Sequence, residues 1–108
     1  MVDAELEKLQ QLIAQRLQSL GRLQLSVVCR TACKIVLLHT TGGAGVRVLV
    51  CRDSPVGRPF VNIMPVVDGK ALVEDSQSMR GVLAEGLDPI IATIEAAFET
   101  ATKVAHLR

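Results

Sequence analysis

The chain has 108 residues, which is the length of one domain, so we expect a single domain over 1–108. Its composition, 49% hydrophobic and 21% charged residues, excludes a disordered or low-complexity chain. The formal net charge of +1 excludes a tail that binds polyanions through bulk charge. The chain has no Trp or Tyr and two Phe, which argues against binding platforms of stacked aromatic rings.

Charge is unevenly distributed along the chain. Residues 21–60 carry six basic and one acidic side chain, whereas residues 68–100 carry seven acidic and two basic ones. No segment approaches the ~18 consecutive apolar residues of a membrane-spanning helix, and the acidic first residues do not resemble a secretory signal. We therefore expect a cytoplasmic protein that has no membrane partner.

Residues 3–20 are predicted to form an amphipathic helix, with Asp3 as N-cap and Gly21 just after its end. Apolar side chains recur at spacings of three and four, which places them on one face: Val2, Leu6, Leu9, Ile13, Leu17 and Leu20. The opposite face is rich in glutamine: Gln10, Gln11, Gln15 and Gln18.

The next part of the chain alternates with a period of two, which predicts an antiparallel meander. Four strands are expected, at 23–30, 33–40, 46–52 and 60–67. The glycine-rich segment 41–45 is predicted to be a hairpin loop and not a phosphate-binding loop, because no helix follows it. Asp68-Gly69 indicates a tight turn into a short fifth strand at 70–73.

Two helices are predicted to follow the strands. A short one spans 76–85 and ends at Gly86, and a long one begins at Asp88-Pro89 and runs to the end of the chain. The fold class is therefore α+β: an N-terminal helix, an antiparallel meander of four to five strands, then one short and one long C-terminal helix.

This element order resembles that of the bacterial YbaB/EbfC nucleoid-associated proteins. The segment 94–101, with the sequence IEAAFETA, is similar to their terminal helix. Because those proteins are dimers that bind DNA, the resemblance implies a dimeric DNA-binding protein. The chain departs from that pattern by its longer sheet and by having fewer basic residues on its helices.

Both faces of the predicted sheet are apolar. In the simplest register, Cys29 lies opposite Cys33 and residue 35 opposite residue 51. The first face then carries Leu23, Leu25, Val27, Cys29, Cys33, Ile35, Leu37, Leu49, Cys51, Val61 and Ile63. The second face carries Val28, Val36, Leu38, Val46, Val48, Val50, Phe60 and Met64. Either the helices divide between the two faces, or all of them cover one face and a partner covers the other.

We expect the second face to be the contact surface of a homodimer or of a complex with another protein. The predicted interface consists of Val36, Leu38, Val48, Val50, Phe60 and Met64. A basic rim is predicted around it, formed by Arg30, Lys34, Arg47, Arg52 and Arg58. Arginine matches carboxylate and phosphate groups, so the rim is suited to an acidic partner.

The sequence predicts no metal, cofactor or catalytic constellation. Cys29, Cys33 and Cys51 are too few for a structural zinc site, and their odd number favours reduced core thiols. His39 has no recognisable nucleophile or carboxylate partner. The leading hypothesis is a small intracellular self-associating interaction module, of an assembly, adaptor or chaperone-like kind. The alternatives are a dimeric nucleic-acid-binding protein and, third, an enzyme whose site lies across a dimer interface.

Overall fold

Two helices and six strands make up most of the described residues, which are 4–27, 33–52, 57–80 and 86–107 of a computed structural model. The elements in chain order are α1 (Ala4–Leu17), β1 (Arg22–Val27), β2 (Cys33–His39), β3 (Ala44–Arg52), β4 (Pro59–Val67), β5 (Lys70–Ala71), a 3-10 turn (Val73–Asp75), β6 (Gln77–Arg80) and α2 (Asp88–His106). The predicted α+β class, with a helix at each end and an antiparallel sheet between, is confirmed.

The six strands form one antiparallel sheet in the order β1-β2-β3-β4-β5, and β6 also pairs with β4. The prediction of a helix at 76–85 is wrong for Gln77–Arg80, which pairs with residues Phe60 to Ile63 of β4. The other residues of that predicted helix lie outside the described part of the chain or in the turn before β6. The unpaired edge of β4 offers backbone hydrogen bonds to this segment, and such tertiary pairing overrides a weak helical pattern.

Short turns make the meander possible. Asp68 and Gly69 have φ angles of 51° and 82°, the left-handed pair that a type I′ hairpin requires, so the predicted turn is confirmed. The glycine-rich hairpin loop between β2 and β3 is also confirmed, with the Thr40 amide donating to the Ala44 carbonyl. The chain therefore reverses locally at these two points.

Both helices pack against the same face of the sheet. Their apolar side chains form one core with the valines and isoleucine of the three central strands: Val36, Val46, Val48, Val50, Val61 and Ile63. The predicted apolar stripe of α1 is confirmed, since Leu6, Leu9, Ile13 and Leu17 are at most 1% exposed. The helices therefore do not divide between the two faces, and the opposite face is left without a helix.

Gln10 is a buried polar residue within that core. The sequence places it on the polar face of α1, but it is only 6% exposed, and its Nε2 donates to the Ile35 carbonyl at 2.7 Å. A buried amide needs such a partner, because an unsatisfied one costs about 1–3 kcal/mol. The contact ties α1 to β2.

The two faces of β4 give a matched pair of variants that tests this packing. Ile63→Ala removes a side chain that is 1% exposed and is expected to lower the free energy of unfolding by about 2–5 kcal/mol. Met64→Ala, one residue later on the half-buried opposite face, is expected to cost about 1 kcal/mol or less. Urea unfolding followed by circular dichroism measures both. Equal losses, or a larger loss at residue 64, would contradict the assignment of the faces.

Candidate functional site

The register of the three central strands differs from the predicted one. Ile35 pairs with Leu49 and not with residue 51, a shift of two residues that leaves β2 and β3 side chains on their predicted faces. In contrast, β4 is displaced by one residue, so that Val48 pairs with Ile63 and Leu49 with Asn62. A one-residue shift moves every side chain of a strand to the other face. The composition of both predicted faces is therefore wrong for β4, and also for β1, where Leu23 shares a face with Leu38 and Val27 with Lys34.

Most of the predicted interface is consequently inside the protein. Val36, Leu38, Val48 and Val50 are 0% exposed, beneath the two helices. This corrects the prediction that they form a contact surface, because no partner reaches them in the folded chain. Phe60 and Met64, the other two predicted residues, are half-buried and lie on the opposite face. Leu23, Val61 and Ile63 contact the helix-covered core, also contrary to the predicted faces.

The face without helices is the candidate functional site, and we call it the open face. Its described central side chains are all half-buried: Ile35, Leu37, Arg47, Leu49, Phe60, Asn62 and Met64. Ser78 and Arg80 of β6 extend it at one edge. Leu37 and Leu49 belong to the predicted first face, which the helices were expected to cover. Because both faces of the strands are apolar, the alternating pattern alone does not show which face the helices cover.

Arg47 lies near the middle of the open face. It pairs with Leu37 on one side and Met64 on the other, and its Nη2 contacts the Met64 Sδ at 3.2 Å. Its Nε is buried and has no hydrogen-bond partner among the described residues. Thioether sulfur is a weak acceptor, so this guanidinium lacks the carboxylate that usually accompanies a partly buried arginine.

Arg80 is a second cation on this face, and the sequence prediction missed it because it assigned this segment to a helix. Its guanidinium lies over the Phe60 ring, 4.8 Å from the centroid, in a cation–π contact. Beside this pair, Asn62 Nδ2 donates to Ser78 Oγ at 2.9 Å. The Asn62 Oδ1 is buried without a partner among the described residues, so it is a second unsatisfied polar atom on the open face.

The predicted basic rim is not assembled in one place. Lys34 belongs to the helix-covered side, since it pairs with Val50, and Arg52 forms an ion pair of 2.8 Å with Glu5 of α1. Arg58 is exposed just before β4, and Arg30 lies outside the described residues. Of the five predicted residues, Arg47 is the one that the structure places within the open face.

Cys33 and Cys51 are paired directly across β2 and β3 and form a disulfide, with 4.2 Å between their Cα atoms. This corrects the prediction of reduced thiols for these two residues, whereas Cys29 lies outside the described chain. Sequence spacing did not identify the pair, because the bond depends on the β2–β3 register. Disulfides are typical of oxidising compartments, so the pair does not support the cytoplasmic location, which stays a prediction.

A pocket of about 380 Å³ lies at the end of the open face near the β2–β3 hairpin. Its lining combines four polar side chains, those of His39, Thr40, Arg47 and Asp68, with apolar ones such as Leu37 and Val66. Gly45 belongs to the lining, and a Cβ there would clash with the Leu38 carbonyl oxygen. The pocket is therefore an extension of the open face with a mixed charge. Among the described residues, no group of three His, Cys, Asp or Glu side chains is placed to hold a metal ion.

Comparisons with known proteins give no further guidance: no family model, no curated protein and no solved structure matches this chain. The resemblance to the nucleoid-associated proteins therefore rests on element order and on the segment 94–101 alone. Neither described helix is long and apolar enough to cross a membrane.

The disulfide predicts a specific thiol count. In denaturant without reductant, one of the three cysteines is expected to react with a thiol reagent, and all three after reduction. The Cys33 and Cys51 positions are 18 residues apart, so reduction is expected to lower the free energy of unfolding by up to about 3 kcal/mol. The double variant Cys33→Ser/Cys51→Ser serves as the control, since reductant should not change its stability. Three reactive thiols in the unreduced protein would contradict the bond.

Proposed function

We propose that the chain is an interaction module that binds another protein through the open face. The observation that carries this proposal is an apolar sheet face that neither helix covers, with a partly buried arginine at its centre whose Nε has no partner. Antiparallel sheets commonly have one wet face, but that face is then mainly polar. Here the residues at the centre of the face are mainly apolar. A partner that covers the face would therefore bury apolar surface that neither helix of the chain covers.

The apolar gain from covering this face is modest. Five of its side chains are apolar and half-buried: Ile35, Leu37, Leu49, Phe60 and Met64. Completing their burial yields about 1 kcal/mol each, or about 5 kcal/mol together. This is similar to the lower estimates of the free energy that association costs, about 4 kcal/mol. Additional polar contacts must therefore contribute to a stable complex.

Charge defines the polar part of such a complex. None of the six described strands contains an aspartate or glutamate, whereas Arg47 and Arg80 lie on the open face. A partner that supplies a carboxylate to the half-buried Arg47 guanidinium would form a charge-assisted hydrogen bond with it. We therefore propose a protein surface with both apolar and acidic side chains as the partner.

Nucleic acid is the alternative partner, since phosphate also matches a guanidinium. The same cations favour it, but the open face offers few of them, and the Arg80 guanidinium already covers the Phe60 ring. Binding of this kind would show a 260 nm signal that accompanies the protein through size-exclusion chromatography and weakens steeply with salt. That result would favour nucleic acid over a protein partner.

Site-specific photo-cross-linking tests the proposal in living cells. A photoreactive amino acid in place of Leu37 or Leu49 on the open face is expected to form covalent adducts with one defined protein. The same substitution at Val73 or Leu107 provides the control, since these side chains are 66% and 84% exposed but lie off the face. Mass spectrometry identifies the adduct. Adducts at the control positions only, or nucleic acid in place of protein, would overturn the proposal.

A further inference from the structure

The outer surface of the helix layer contains a groove of about 560 Å³ that complements the open face. Its apolar lining comes from Leu20, which follows α1, and from Ala92, Ala96 and Phe98 of α2. Two carboxylates one helical turn apart, Glu95 and Glu99, complete the lining together with Thr102. The groove is thus apolar at its centre and acidic at its side.

The two carboxylates differ in their present contacts. Glu99 is 3.3 Å from Lys103 in an exposed ion pair within α2, and an exposed pair of this kind is weak. Glu95 makes no ion pair with any described residue and is exposed. At least one carboxylate of the groove is therefore available to a cation from another molecule.

This groove and the open face lie on opposite sides of the same molecule, because both helices pack on one face of the sheet. One side presents Arg47 and Arg80 among apolar strand residues, and the other presents Glu95 and Glu99 beside apolar helix residues. The open face thus carries cations on strands that have no acid, whereas the groove carries two carboxylates.

We propose that the occupant of the open face is a second copy of this chain, docked head to tail with its α2 groove against the sheet. The inference rests on the proposed function and names the partner for that same face. Arginine fits such a groove because its apolar stem packs on apolar side chains while its planar guanidinium pairs with carboxylates. Each contact places the cations of one copy beside Glu95 and Glu99 of the next.

A symmetric dimer through two open faces is disfavoured by the same charges. A two-fold axis brings the same surface of both copies together, so Arg47 and Arg80 would meet strands that carry no acid, and Asp68, which lines the pocket beside Arg47, lies in the turn at the end of the face. The guanidinium groups of the two copies would then approach one another without a strand carboxylate between them. The head-to-tail arrangement supplies carboxylates from α2.

The dimensions of the two surfaces agree. With 19 residues, α2 is ~28 Å long at ~1.5 Å per residue, and the nine-residue strands β3 and β4 are each ~30 Å long at ~3.3 Å per residue. Helix α2 is therefore about as long as the central strands that it would cover in the next copy. Because this contact uses two different surfaces, it does not end at a dimer: copies form a ring if the rotation between them closes and a filament if it does not.

Sedimentation velocity with interference optics measures the expected assembly, since the chain lacks Trp and Tyr. At low salt, the average mass of the wild-type protein is expected to rise with concentration beyond that of a dimer. At ~0.5 M salt, the association is expected to weaken at least tenfold, because exposed ion pairs are screened. A wild-type protein that stays monomeric at every concentration and at low salt would overturn the inference.

Two variants with opposite defects test the geometry. Glu95→Lys/Glu99→Lys removes the acidic groove, and Leu37→Asn/Leu49→Asn disrupts the open face, so each alone is expected to be monomeric. In an equimolar mixture, the groove variant still has an intact open face and the open-face variant still has an intact groove. The mixture is therefore expected to form a 1:1 complex and nothing larger. Circular dichroism confirms that each variant is folded, and formation of the mixed complex itself shows that both proteins retain an intact surface.

Glu74→Lys/Asp75→Lys is the matched control for the groove variant. It makes the same change in net charge in the exposed 3-10 turn, on the other flank of α2, and is expected to assemble like the wild type. A mass that stops at the dimer and is unchanged by Glu95→Lys/Glu99→Lys would show a symmetric interface and overturn the inference. If cross-links from Leu49 reach a different protein while the wild type is monomeric, the inference fails and the proposed function holds. If neither cross-links nor assembly occur, both fail.

Discussion

The pairing of β4 with β3 is the constraint on which the arrangement of this protein depends. It places Val48 opposite Ile63 and Val50 opposite Val61, which gathers β-branched side chains on one face of the sheet. Branched apolar side chains of similar size form an even surface on which helices pack, and both helices lie there. The same pairing carries Arg47 to the other face, next to Met64. One register thus defines both the core and the open face.

Placing both helices on one face also separates charge. The described strands contain no acidic residue, while the helices and the turn before β6 carry acidic side chains such as Glu74, Glu95 and Glu99. If the helices had divided between the two faces, these carboxylates would have lain on both sides of the sheet. Instead, a chain with a net charge of only +1 has a sheet face with cations on acid-free strands and a helix groove with two carboxylates. Net charge alone does not reveal this polarity.

The open face differs from an ordinary solvated sheet surface in two ways. Its centre is apolar, and two of its polar atoms, the Arg47 Nε and the Asn62 Oδ1, are buried without partners among the described residues. Buried polar groups in folded proteins are almost always hydrogen-bonded, because leaving one unsatisfied costs about 1–3 kcal/mol. A partner that covers the face would instead bury its apolar centre and pair with the half-buried Arg47 guanidinium. Physical requirements of this kind support the proposed function where similarity to known proteins does not.

Local features of the chain were predictable from the sequence. The apolar stripe of α1 from Leu6 to Leu17 follows from a period of 3.6, and the turn at Asp68-Gly69 follows from the left-handed backbone that glycine and aspartate tolerate. The α+β class follows from the order of these segments, because each depends only on neighbouring residues. The buried Gln10 is the exception within α1, since its partner is on β2.

The functional surface was not predictable in the same way, because it depends on contacts between distant segments. In β3 and β4, both the odd-numbered and the even-numbered residues include apolar side chains, so the sequence pattern allowed two registers. Only the strand pairing shows that the helices cover Val48 and leave Leu49 on the open face. Similarly, Arg80 joins the open face only because β6 pairs with β4, and Cys33 meets Cys51 only across the β2–β3 ladder. With the exception of β6, the sequence by itself determined which of the described segments become helices and strands. The tertiary structure decided which side of each strand the helices cover and which side they leave open, because a shift of one residue reverses it.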